Sequence, residues 1–158
     1  MGMPATSPIP NVMTAEGRIA ANLARFVADF ARRHRLGVVF AQDTGFKIGS
    51  DPDTVRAPNV AFVAQARLHG IPERGDAPLA PDLLAEVVSP GDTPGELLAK
   101  IASWLEAGTK LVWVVDPGRA EARVYRRDGS LSLVGGERTL EGEDVLPGFA
   151  CALEDVLN

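Results

Sequence analysis

The sequence predicts an α/β protein, a mixed central sheet flanked by helices, and three features predict it. Leu83-Leu84-Ala85-Glu86-Val87-Val88 and Leu111-Val112-Trp113-Val114-Val115 are near-continuous apolar runs, the pattern of strands buried on both faces. A well-delimited helix stands between them, so strand, helix and strand form a right-handed crossover with two parallel strands. An amphipathic helix near the N-terminus supplies cover for a sheet face.

The elements follow in order. Residues 1–13 form a loose leader, rich in proline, without the basic start and apolar core of a signal peptide. A helix is expected from Thr14 to Arg35, with Thr14 as N-cap and Ile19, Leu23, Phe26 and Phe30 as its apolar stripe. Arg32, Arg33, His34 and Arg35 suit the negative end of its dipole, and Glu16, in its first turn, suits the positive end. Strands are expected near Val38–Gln42, Phe46–Ile48 and Val60–Val63, with a turn at Asp51-Pro52-Asp53-Thr54. Residues 69–81 hold three prolines and two glycines and read as a loop.

After the first apolar run, Ser89-Pro90-Gly91-Asp92 breaks the strand. Thr93-Pro94-Gly95-Glu96 then combines an N-cap threonine, proline at the first helical position and the glutamate of a capping box. That helix runs to Ala107 and ends at Gly108. Leu97, Leu98, Ile101, Trp104 and Leu105 fill one arc of it, with Lys100 at the edge. Ala122–Arg126 and Leu131–Val134 make a hairpin about Asp128-Gly129 at the sheet edge, and Ala152–Leu157 is a short terminal helix. One domain over residues 14–158 holds all of these elements.

Glu86 is the chemical anomaly. A lone carboxylate in a buried strand is costly, or takes up a proton. It requires a lysine, another cation or a metal ion as partner. Asp82 lies just before the strand, and Lys100 can lay its stem over the sheet and aim its ammonium at Glu86. Two acids and a lysine at the end of a buried strand are the chemistry of a metal-dependent nuclease site. A purely structural Glu86–Lys100 ion pair is the simpler alternative.

Composition sets wider bounds. The net charge of −5 means no global field that attracts nucleic acid, although a local basic groove is compatible with it. Cys151 is the single cysteine, so no internal disulfide forms and a reducing cytoplasm fits. No apolar stretch reaches membrane-spanning length. The acidic charge, with an apolar edge around Val124 and Tyr125, points to a homodimer.

Arg56-Ala57-Pro58-Asn59-Val60-Ala61-Phe62-Val63, then Pro81 to Pro90, then Lys100, then Gly108 to Pro117 carry a resemblance. In this order and spacing they resemble the Uma-two family of bacterial endonucleases, within the PD-(D/E)XK superfamily, over about Thr14 to Leu157. The segment before the first helix is shorter than the family's usual one. The resemblance implies a restriction-endonuclease-like core, a DNA substrate and Mg²⁺ or Mn²⁺ as cofactor. It makes Glu86 the second strand acid and a metal ligand. The superfamily's lysine position two residues later is Val88, so Lys100 takes that role from the next helix. Glu16 matches the early helical acid. Asn59 falls where the first strand acid belongs; as a metal ligand it offers a neutral carbonyl oxygen, one negative charge fewer than the family's acid.

Asp82 stands as a further candidate ligand or as a residue that orients its loop. Four residues of strand span ~13 Å, so Asp82 and Glu86 share one ion only if the chain bends. Two functions therefore stand open. One is an Mg²⁺-dependent endonuclease that hydrolyses DNA phosphodiester bonds. The other is a catalytically degenerate member that serves as an interaction or oligomerising module, and the asparagine at 59 favours it.

Overall fold

The computed structural model describes the backbone of residues 11–158 and the side chains from residue 14 onward. Most of the expected leader lies outside the described residues. Residues 11–13 already belong to the first helix, α1, Asn11–Arg33. Thr14 is therefore inside the helix and not its N-cap. Glu16 sits in the second turn, beyond the reach of the dipole effect, which falls off within the first. The basic end holds as expected, with Arg32 and Arg33 in the last turn.

The strands are β1 (Gly37–Ala41), β2 (Phe46–Gly49), β3 (Thr54–Arg56), β4 (Val60–Ala64) and β5 (Leu83–Val87). Helix α2 (Pro94–Glu106) leads to β6 (Leu111–Asp116), β7 (Glu121–Arg126) and β8 (Leu131–Gly135). The chain closes with β9 (Thr139–Glu141), β10 (Ala150–Ala152) and α3 (Leu153–Leu157). The main sheet has six strands in the order β1-β4-β5-β6-β7-β8. β5 and β6 are parallel, with Glu86 opposite Val114, and the other neighbouring pairs are antiparallel. The crossover through α2 is thus as the apolar runs predict. Its start is also as read: Thr93 Oγ1 accepts from the Glu96 amide at 3.2 Å.

Three regions differ from expectation. β2 pairs with β3 in a separate hairpin and does not join the main sheet. β9 and β10 pair with each other, and both are three residues long, too short for periodicity to mark them. Residues Gln65–Gly70 form a 3₁₀ helix, which takes up the start of the expected loop.

Each sheet face has its own core. Ile19, Leu23 and Val27 of α1 pack with Leu83, Ala85, Val87 and Trp113, and α3 adds Leu153 and Val156. On the other face Ile101 and Trp104 of α2 pack with Leu84, Val112, Val114 and Phe46. Alternation along β5 explains the split, since residues two apart share a face. The expected apolar edge at Val124 and Tyr125 is not an edge. β7 lies between β6 and β8, and Val124 is buried. β8 is the edge strand on that side of the sheet, and there Leu131 and Leu133 are exposed. Among the described residues no helix is long and apolar enough to cross a membrane.

Candidate active site

The alternation that splits the core also aims Glu86. It follows Leu84 on the α2 face of β5, at the strand's C-terminal end. Lys100 descends from α2 onto the same face, and its Nζ stands 3.6 Å from Glu86 Oε2. The lysine is partly exposed while the glutamate is almost wholly buried, so the pair lies at the lip of the core. Burial pushes the Glu86 carboxyl up to about 7, and Lys100 offsets only part of that shift. Asp92 and Glu16 raise it further by like-charge repulsion.

Asn59 ties the other parts together. Its Oδ1 accepts from the Val87 amide at 2.9 Å, and its Nδ2 donates to Glu16 Oε1 at 3.3 Å. The orientation of the amide follows from chemistry, since the Val87 N–H offers only a donor and must face oxygen. Its NH₂ then faces the carboxylate. Asn59 thus clamps α1 to the end of β5, and its oxygen is turned toward the strand backbone. Glu16, Asn59, Glu86 and Lys100 arrive from α1, the segment before β4, β5 and α2, and meet at one place.

Asp82 does not join them, and the ligand role expected of it does not hold. It is buried at the opposite end of β5. Its Oδ2 meets Arg67 Nη1 at 2.9 Å and the Ala64 amide at 2.8 Å, and its Oδ1 meets Lys110 at 3.7 Å. Both oxygens are already engaged, and the strand does not bend to bring them to Glu86. Two residues at the site had no site role in the sequence reading. Asp92 read only as a strand breaker, and Arg56 only as part of a motif. With Lys100 and Glu96 they line a cavity of about 380 Å³ beside α2. Nothing local in the sequence marks this grouping, because it arises across separate elements.

Among the described residues no group of three or more histidine, cysteine, aspartate or glutamate side chains is arranged to hold a metal ion. The donors present are the carboxylates of Glu86 and Glu16. They are hard oxygen ligands that suit Mg²⁺ or Mn²⁺, ions that keep several of their waters. The set fits such an ion with less charge than an aspartate at 59 would give. Cys151 offers no alternative nucleophile, since burial pushes its thiol up to about 12.

Comparison with known proteins gives the family and the fold. The model of the Uma2 family, described as putative restriction endonuclease, matches residues 8–154, and the chain belongs to that family. Among solved structures, a putative nuclease belonging to DUF820 from Anabaena variabilis superposes with a TM-score of 0.77 at 17% identity. The match covers 99% of this chain and 83% of that one, and it shows that the two share a fold. No curated protein matches.

Proposed function

We propose that this member of the Uma2 family is a divalent-metal-dependent endonuclease that hydrolyses DNA phosphodiester bonds, with activity lowered by Asn59. The observation that carries this reading is the meeting of Glu16, Asn59, Glu86 and Lys100 at one end of β5. A structural ion pair alone needs neither the second carboxylate nor the amide clamp.

Glu86 and Glu16 would hold Mg²⁺ or Mn²⁺. Such an ion, when bound, neutralises phosphoryl charge and acidifies a coordinated water. The chain's own groups supply the rest. Without a metal, burial raises the Glu86 carboxyl to about 7, and a bound cation would hold it ionised as a ligand. Lys100 holds a fixed positive charge at the lip of the site, where charge developing on a phosphate oxygen is stabilised. Asn59 fixes Glu16 against β5, so the two carboxylates keep their spacing.

The test is cleavage of supercoiled and single-stranded DNA in Mg²⁺ and in Mn²⁺, with Glu86→Ala and Lys100→Ala beside the parent. Cleavage by the parent that falls by about 10²–10³-fold in each variant is expected. Cleavage that survives Glu86→Ala would overturn the assignment. A parent that does not cut would leave the second reading, a non-catalytic interaction or oligomerising module. The asparagine in place of the family's acid is the observation that favours it.

A further inference from the structure

Among the described residues, four buried side-chain atoms lack a hydrogen-bond partner, and Arg56 Nε is the charged one. The two tryptophan nitrogens in this group belong to side chains of the apolar cores. Arg56 differs. It stands at the end of β3 and lines the cavity that also holds Lys100. No ion pair among the described residues includes it, although Asp92 and Glu96 line the same space. Its Nε is covered, so an anion in the cavity would meet the unpaired guanidinium through its terminal nitrogens.

We propose that Arg56 is a phosphate-binding residue, which grips a phosphodiester of bound DNA in the cavity it shares with Lys100. The two terminal nitrogens of a guanidinium present donors side by side, a match for two oxygens of one phosphate. Asp92 and Glu96 temper the positive field of the cavity. It therefore suits the single charge of a phosphodiester better than a free phosphate dianion. The choice of DNA rests on the nuclease reading of the Glu86 site, but the contact itself requires no cleavage.

The experiment is equilibrium binding of a short fluorescein-labelled DNA duplex over a range of salt, without divalent metal. The parent, Arg56→Gln and Arg56→Lys are compared. Arg56→Gln is expected to bind about 10–100-fold more weakly at low salt. Its slope of log affinity against log salt falls by about 1. Arg56→Lys retains the slope yet binds more weakly than the parent, because the charge remains and the fork is lost. Circular dichroism and melting establish that each variant folds, and Arg56→Lys carries the test should Arg56→Gln fail to.

Cleavage assays in parallel keep the two readings apart. Arg56-dependent binding by a parent that never cuts would keep the phosphate contact and overturn the nuclease. Cleavage by the parent, with affinity, slope and KM all unchanged in Arg56→Gln, would overturn the phosphate contact alone. No duplex binding by the parent at low salt would also overturn it. So would a thermal shift by inorganic phosphate that needs Arg56 in a protein that does not bind the duplex, since the site would then belong to free phosphate.

Discussion

Strand β5 has a buried acid at each end, and the two ends are built differently. Asp82 is met by two cations and a backbone amide, so each of its oxygens has a partner. Glu86 is met by one lysine at 3.6 Å, with two further acids nearby. Both carboxyls are over nine-tenths buried, at 2% and 7% exposed, so burial alone does not separate them. The number and sign of their neighbours does. An acid surrounded by donors is part of the frame. A buried acid with too few is poised to exchange a proton or to take up a cation, which is the usual condition of a working group. The Asp82 end is closed by Arg67 and Lys110, while the Glu86 end lies at the lip of the sheet beside α2.

The comparison can be broken most severely at the closed end. Asp82→Ala leaves the Ala64 amide without its acceptor and separates Arg67 and Lys110 from their shared partner. The variant should lose about 3 kcal/mol of stability, read from the urea midpoint at constant slope. The cations can reach water, so the loss falls at the low end for a broken buried pair. A loss below about 1 kcal/mol would place this end with ordinary surface ion pairs.

Glu86→Gln should act in the opposite direction, and only above a certain pH. The Glu86 carboxyl is raised from 4.5 to about 7 in the folded chain. The folded state therefore binds the proton more tightly than the unfolded one. The stability contributed by the protonated form is complete below pH 4.5 and is lost as pH rises through about 7. The parent should then be about 2–3 kcal/mol less stable at pH 8 than this group would allow at pH 4, and glutamine should remove that fall. Thermal unfolding of both forms across pH measures it. Parallel curves for the two would show that Lys100 compensates Glu86 fully. Mn²⁺ at pH 8 should raise the melting temperature of the parent and leave Glu86→Gln unmoved.

The smallest expected effect sharpens the open end. Asn59→Asp keeps the acceptor for the Val87 amide but turns a hydrogen bond to Glu16 into a like-charge contact. Without metal the variant should lose about 1 kcal/mol. With metal the added charge should tighten Mg²⁺ by about tenfold, measured by calorimetry, and cleavage should rise with it. A variant that binds Mg²⁺ no better than the parent, where neither form cuts, would decide for the non-catalytic reading.

The sequence by itself determined the features that local patterns encode. Two apolar runs about a capped helix specify the parallel crossover. Thr93, Pro94 and Glu96 specify where α2 begins, and the edge position of Lys100 specifies its reach to Glu86. Periodicity and capping depend on neighbours a few residues apart, so they can be read along the chain. The tertiary structure decided which acid is structural. Asp82, just before β5, and Glu86, within it, fall on the same side of the alternation, and nothing local shows which one the fold compensates. Their partners come from elsewhere: Arg67 and Lys110 for one, Lys100, Glu16 and Asp92 for the other. It also placed Arg56 beside Lys100 through β3, a strand too short to announce itself, made Asn59 a clamp, and left β8 as the edge beyond β7. Charge compensation is a property of what the fold assembles around a side chain, and that environment exists only once the chain has closed on itself.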